Sequence, residues 1–230
     1  CELRDAIEAA NTDTAVDGCP AGSGADQIRI LVPVGPVTIQ LTSALPAITS
    51  DVTIDGAGAD VLTVDGNNHS VAFGLFDVVA GVVTVRGLTI TGGNGGFFGG
   101  GLGVSGTADV TLEDCRLTGN FGGTAGGVYN LATLRIERCL VDANIGTAAG
   151  GIYVANGADV VIVDSTVSGN SGPGGFGSKG VGLFLAGSTA RLEQTTFYDN
   201  GDGFANLEAD ATSSLEIAGS VVAAPTGTNC

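Results

Sequence analysis

The residues best suited to chemistry are acidic and basic side chains that recur at equivalent positions of short strand-like segments. One column holds Glu113, Glu137 and Glu193, and neighbouring columns hold Asp114, Arg138, Asp164, Arg135 and Arg191. Carboxylates about 5–9.5 Å apart could hydrolyse a glycosidic bond, and a basic residue beside an acidic Ca²⁺ site could eliminate across a uronate. A polysaccharide lyase or glycoside hydrolase acting on acidic polysaccharide is therefore one alternative. Mixed charges stacked on strands are more typical of a solvated face, so we predict no catalytic residue.

The acidic turns could also hold a cation. Asp55, Asp60 and Asp65 fall in one turn region, whereas segment 199–208 suggests a calcium loop but has the wrong ligand spacing. We expect ordinary Asp-Gly turns there and predict no cofactor or metal, with Ca²⁺ as the one ion that the cluster could hold weakly. His69, the only histidine, lies in a DGNNHS turn and is expected to be a plain surface residue.

Three aromatic residues fall at one position of successive repeats: Tyr129, Tyr153 and Phe184. Each follows an apolar residue that is expected to point inward, so the rings should point outward. A stacked aromatic stripe on a β-face can dock sugar rings or another protein. The alternative is that the rings stack on one another and shield the sheet. The sequence therefore marks these residues as a candidate binding stripe.

The five cysteines divide into three groups. Cys115 and Cys139 share a column one repeat apart, and stacked strands would bring their Cα atoms to about 4.8 Å, within disulfide range. Either a disulfide or a pair of buried thiols is compatible with that position. Cys1 and Cys19 could form a disulfide that pins the N-terminal segment to the first strand. Cys230 would then remain for an intermolecular bond. None of the cysteines has the basic surroundings of a catalytic thiol.

A repeat positions all of these residues. Short β-rich segments end at asparagines spaced 26, 24, 26 and 30 residues apart: Asn94, Asn120, Asn144, Asn170 and Asn200. About three strand-like runs fall in each period, and none could bury an apolar face alone. Coiling the chain once per period stacks each run on its copy, which predicts an all-β parallel β-helix. The asparagines would form an amide ladder at one corner of the coil.

Apolar residues support the same coil because they fall in register. One column contains Leu112, Ile136, Ile162, Leu192 and Ile217, and another contains Ile90, Leu117, Val141, Val167, Phe197 and Val222. Glycines would supply the positive φ values of the tight corners. These columns predict continuous apolar ladders inside the solenoid.

The N-terminal segment differs from the repeats. Leu3, Ile7 and Ala10 lie on one face of a predicted short amphipathic helix. We therefore predict a cap over residues 1–25 and a β-helix over residues 26–230, because an open solenoid end exposes apolar side chains and strand edges. The C-terminal segment offers no comparable cap, and the lack of methionine indicates a processed piece of a longer product.

Composition limits the partners. The chain has 230 residues, 40 of them glycine, only 8 basic residues and a net charge of −16. So few basic residues cannot track phosphates or an anionic lipid surface, which argues against nucleic-acid binding. No apolar run approaches the roughly 18–20 residues that span a bilayer, so membrane insertion is not expected.

Several segments together resemble a known family. The start Cys1–Ile7, then Asp17–Pro20 and Asp51–Gly56, is similar to a CSLREA-type domain, with Glu2 and Asp5 as departures from the motif. The later repeats resemble the right-handed parallel β-helix repeats that follow this motif in bacterial secreted and surface proteins. The resemblance implies export, a right-handed coil and often a passive role in a large surface or matrix protein.

The leading hypothesis is a non-catalytic, extracellular or cell-surface structural and adhesive scaffold. End-to-end self-association into a fibre or matrix would suit an uncapped C-terminal end and a spare Cys230. The alternatives are the carbohydrate-active enzyme described above and a glycan-binding module that uses Tyr129, Tyr153 and Phe184 to bind a glycan or a cell-surface partner.

Overall fold

The computed structural model describes most of the 230-residue chain: residues 1–32, 34–67, 74–96, 98–172, 182–201 and 205–223. Over these ranges it shows one helix followed by a coil of short strands. Within them, no helix has the length and apolar character that crossing a membrane requires.

The helix α1 spans Leu3–Thr12 and covers the first turn of the coil. The backbone N–H of Glu2 donates to the Asp5 carboxylate at 3.0 Å, which satisfies a free donor at the helix start. The apolar face buries Leu3, Ile7 and Ala10 against the core. Arg4 donates to the Ser43 carbonyl at 2.9 Å, so the polar face is also attached to the coil.

Three parallel sheets form the walls of the coil. Sheet A contains β1 (Asp26–Arg29), β3 (Val52–Asp55), β6 (Val82–Arg86), β9 (Asp109–Glu113), β13 (Thr133–Glu137), β17 (Asp159–Val163), β20 (Thr189–Glu193) and β23 (Ser214–Ala218). Sheet B contains β2 (Val37–Gln40), β4 (Leu62–Asp65), β7 (Thr89–Thr91), β10 (Arg116–Thr118), β14 (Leu140–Asp142), β18 (Thr166–Ser168), β21 (Thr196–Tyr198) and β24 (Val221–Ala223). Sheet C contains β5 (Phe76–Val78), β8 (Leu102–Val104), β12 (Val128–Asn130), β16 (Ile152–Ala155), β19 (Leu183–Ala186) and β22 (Leu207–Ala209). A further pair joins β11 (Phe121–Gly122) to β15 (Ile145–Gly146).

The predicted apolar columns are confirmed by the strand register. Ile136 pairs with Leu112 on one side and with Ile162 on the other, and Leu192 pairs with Ile217. The second column continues from Ile90 through Phe197 to Val222 in the same way. Alternate residues of each strand point inward, so a single apolar core runs along the coil.

Two sharp bends shape the regular coils. A single residue in the left-handed region joins sheet A to sheet B, and in successive coils it is Asp114 (φ 53°), Arg138 (φ 51°), Asp164 (φ 48°) and Gln194 (φ 50°). A second left-handed residue follows sheet B, as at Gly119 (φ 63°) and Gly169 (φ 61°). Glycine adopts this conformation without the steric cost of a Cβ. The residue after each bend is buried, so both bends place polar side chains inside the coil.

In the last coil of the described residues, an inward-facing side chain is more exposed to solvent than its equivalents in the other coils. Ile217 belongs to an inward column but is 44% exposed. No further described strand stacks on β23, and this accounts for the exposure of its inward side chain.

Candidate functional site

Several charged residues of sheet A and of the bend that follows it form ion pairs. Arg138 pairs with Glu113 at 2.5 Å, with Asp114 at 2.8 Å and with Glu137. Arg135 adds a second cation to Glu137 at 2.9 Å. The hydrogen bond from Arg138 lowers the pKa of Asp114, and the one from Arg135 lowers the pKa of Glu137. A general acid needs the opposite shift, so the lowered pKa values of Asp114 and Glu137 do not suit that role.

The same pattern extends along the sheet. Arg86 pairs with Asp55 at 2.9 Å and lowers its pKa, and Arg191 pairs with Glu193 at 2.5 Å. The Asp55 carboxylate is therefore paired with an arginine and is not part of a cluster of acidic side chains in the described ranges. Among the described residues, no group of three or more His, Cys, Asp or Glu side chains could hold a metal ion, so Asp55, Asp60 and Asp65 do not converge.

The amide ladder is present at the bend after sheet B. The Oδ1 of Asn144 accepts from the backbone N and from the Nδ2 of Asn120, both at 3.0 Å. The Nδ2 of Asn144 donates to the Leu117 carbonyl at 2.9 Å and to Asn170 Oδ1 at 3.0 Å. Asn170 and Asn200 repeat this arrangement in the following coils. Each amide thus joins its neighbours on both sides while remaining fully buried.

The two ends of the ladder differ from the sequence prediction. Asn94 is in register with Phe121, one residue beyond the ladder, and the backbone N of Gly93 donates to Asn120 in its place at 3.0 Å. The prediction for Asn94 is therefore wrong by one position. At the other end Asn206 accepts from the N and the Nδ2 of Asn200, at 3.0 and 2.8 Å. Asn206 follows Asn200 by only six residues, so a search at the repeat period misses it.

A second polar ladder occupies the bend between sheets A and B. Its members are Cys115, Cys139, Ser165, Thr195 and Ser220. In three steps the backbone N of one member donates to the side chain of the member in the next coil: Cys115 to Cys139 at 3.4 Å, Cys139 to Ser165 at 3.0 Å and Thr195 to Ser220 at 3.0 Å. The side chain then donates to the carbonyl two residues earlier, as from Ser165 to Val163 at 2.7 Å. The sequence analysis placed only Cys115 and Cys139 in one column and did not predict this ladder.

Cys115 and Cys139 belong to this ladder as free, buried thiols. The backbone N of Cys115 donates to the Cys139 sulfur at 3.4 Å, and the two thiols donate to the carbonyls of Glu113 and Glu137 at 3.2 Å. The disulfide alternative for this pair is thus wrong in this structure, because each sulfur takes the ladder role that a hydroxyl has elsewhere. The hydrogen bond to Cys115 and burial raise the pKa of Cys139.

Cys1 and Cys19 do form a disulfide. It attaches Cys1, two residues before the start of α1, to a loop that is held by backbone hydrogen bonds between Val16 and Cys19. Cys230 and His69 lie outside the described residues.

The predicted aromatic stripe is present on sheet C but is less exposed than expected. Tyr129 and Tyr153 stack with ring centroids 5.5 Å apart and planes 1° apart, and Phe184 lies 5.5 Å beyond Tyr153. Phe184 is only 6% exposed, so its ring is not open to a ligand as the sequence suggested. Phe98, from the loop before β8, extends the stack with its centroid 5.4 Å from Tyr129 at a tilt of 57°.

A cavity of about 360 Å³ opens where the aromatic column is interrupted. Gly103 occupies the column position between Asp77 and Tyr129, so no side chain fills the space there. Phe98 and Leu131 also line this cavity, which we call the Gly103 slot. Although Asp77 is accessible to solvent, desolvation by the walls raises its pKa, opposite to the ion-paired carboxylates of sheet A.

Comparison with known proteins identifies the class. The family model described as a right-handed β-helix region matches residues 47–222. The chain therefore belongs to the right-handed β-helix family, and the predicted fold class is confirmed. No curated protein and no solved structure matches the chain.

Proposed function

We propose that this protein is a non-catalytic structural scaffold. The observation that carries the proposal is the use of its polar side chains. The buried amides hold one coil to the next, as Asn144 does with Asn120 and Asn170. Since buried polar groups are stable only when they are fully hydrogen-bonded, such ladders fix the register of the coils and stiffen the solenoid.

The surface charges favour the same function over catalysis. Glu137 contacts both Arg135 and Arg138, and the pKa of Glu137 is lowered. A hydrolase needs one carboxyl that remains protonated near neutral pH beside one that is ionised. The lowered pKa values of Asp55, Asp114 and Glu137 argue against that pair on sheet A.

A polysaccharide panel tests this proposal. We expect neither unsaturated uronides nor new reducing ends after incubation of the protein with acidic and neutral polysaccharides. Release of either product that is lost in Glu137→Gln but kept in Asp109→Asn would overturn the scaffold proposal. Asp109→Asn is a matched control because it removes one exposed carboxylate from the same sheet.

The extracellular or cell-surface location is part of the proposal. It is supported by the CSLREA-type resemblance and by the Cys1–Cys19 disulfide, since disulfides persist mainly in oxidising compartments. Non-reducing peptide mapping of the protein from its native source should find this disulfide intact. Recovery of both cysteines as free thiols would argue against export.

End-to-end assembly remains a further part of the proposal. It is supported by Ile217, an inward residue of the last described coil that is 44% exposed. Size-exclusion chromatography and electron microscopy under oxidising conditions should show linear oligomers that shorten in Ile217→Lys. Detection of monomers alone at high protein concentration would refute end-to-end assembly.

A further inference from the structure

The Gly103 slot has the shape and lining of a binding site. Residue 103 is a glycine between Asp77 and Tyr129, so a side-chain-sized space remains open in an otherwise continuous column. Asp77 Oδ1 lies only 3.1 Å from where a Cβ of residue 103 would be, so the carboxylate stands directly beside this space. Stacking of Tyr129 on Tyr153 holds the opposite wall in place.

Two aromatic rings form a corner in the same cavity as the carboxylate. Phe98 is tilted by 57° to Tyr129 with centroids 5.4 Å apart, and both residues line the cavity together with Asp77. An organic cation is attracted to aromatic faces by the ring quadrupole, and the attraction increases when the site is desolvated. The carboxylate adds an opposite charge within the same cavity.

The lining also limits the alternatives. Among the described residues that line the slot, none is basic, so an anionic ligand finds no partner there. Besides Asp77, the polar side chains of the lining are Ser105 and Tyr129. A sugar ring would find only these three side chains of the described lining as hydrogen-bond partners for its hydroxyl groups. An alkylated ammonium group needs no such partners.

We infer that the Gly103 slot binds the alkylated ammonium group of an organic cation. The rings of Phe98 and Tyr129 contact its methyl groups, and the Asp77 carboxylate balances its charge. The same group could come from a free small molecule or from an alkylated lysine of another protein. This binding function is additional to the scaffold role and does not depend on it.

The binding should depend on pH through Asp77. Tyr129 is the other titratable side chain in the described lining, and its pKa is raised by burial, so it stays neutral. The parallel register places Ala47 and Gly103 beside Asp77, and neither carries a charge. Because the cation binds the ionised carboxylate, affinity should be constant at neutral pH and fall as Asp77 becomes protonated. The loss of affinity should begin at a pH above the ordinary aspartate pKa of 3.8, because the pKa of Asp77 is raised.

The test compares choline with its neutral isostere 3,3-dimethylbutan-1-ol by titration calorimetry or NMR chemical shifts. The wild-type protein should bind choline about tenfold more tightly than the isostere. Asp77→Asn should reduce this preference because only the attraction to the rings remains, whereas Asp109→Asn, with the same change in net charge, should leave it unchanged. Gly103→Tyr should abolish binding of both compounds because the new ring fills the slot.

The outcomes are distinguishable even if a variant fails to fold, since the choline comparison needs only the wild-type protein. Equal binding of choline and the isostere, or no binding of either, overturns the inference. Binding of neutral sugars with no response to choline also overturns it and favours a glycan ligand. A peptide with trimethyl-lysine separates the two sources: tighter binding than choline assigns the site to a protein partner, and weaker binding assigns it to a small molecule.

Discussion

The amide ladder makes the sharpest stability prediction, and Asn144→Ala is the most informative change. Asn144 is fully buried and its side chain makes four hydrogen bonds. Alanine removes all four without disturbing the strands on either side. The backbone N of Asn120 and the carbonyl of Leu117 then lose their ladder partner in the interior of the coil.

The expected loss follows from those two backbone groups. A buried donor or acceptor left without a partner costs about 1–3 kcal/mol, so the pair costs about 2–6 kcal/mol. Entry of a water molecule into the space left by the amide would favour the lower half of this range. We therefore expect Asn144→Ala to lower the free energy of unfolding by about 2–4 kcal/mol.

Guanidinium unfolding followed by far-ultraviolet circular dichroism measures this loss, with Thr133→Ala as the control. Thr133 is exposed at the start of β13, in the coil that leads to Asn144, so its truncation should change stability by less than about 0.5 kcal/mol. Hydrogen exchange provides a local measurement, because the amide of Asn120 should lose protection in the variant. A loss below about 1 kcal/mol together with unchanged protection of Asn120 would show that the ladder does not stabilise the coil.

Three further predictions concern other parts of the molecule. Native Cys115 and Cys139 should resist iodoacetamide because they are buried thiols, and peptide mapping that finds rapid labelling before unfolding would contradict the ladder geometry. Hydrogen bonds lower the pKa of Asp210 to about 2, and the largest effect comes from the side chain of Thr212. The ionised Asp210 therefore contributes to stability above about pH 4, and this contribution is lost as the pH falls towards 2. A carboxyl NMR titration of Asp210 with a midpoint at the ordinary 3.8 would refute that assignment. Cys19→Ser should lower stability by about 3 kcal/mol, since it opens a disulfide between residues 18 positions apart, and an unchanged melting temperature would show that the bond is dispensable.

Repetition explains why so much of the fold could be predicted. Stacked strands demand similar side chains at equivalent positions, so apolar columns such as Leu112 with Ile136 are visible at a period of 24–26 residues. The same reasoning places Asn120, Asn144 and Asn170 in one ladder, because each amide needs a copy one coil away. Both predictions use only the chain's own period.

The sequence-based predictions are wrong or incomplete where the spacing of the repeats is irregular. Loop length between sheets varies, so Asn94 misses the ladder by one residue and Asn206 enters it after six residues. Cys115 and Cys139 illustrate a different limit, since a vertical pair of cysteines is compatible with a disulfide or with thiols. The hydrogen bonds to neighbouring carbonyls decide between them.

The sequence alone determined that the chain coils, which residues line the core and where the aromatic column lies, because these follow from a repeated pattern of side chains. Only the tertiary structure decided that Arg138 neutralises three carboxylates and that Phe184 is covered. It also placed Phe98 from a loop beside Tyr129, across from Asp77, at the one column position where glycine leaves space. Such a site depends on contacts between residues of different coils and of an irregular loop, and a period cannot encode those contacts.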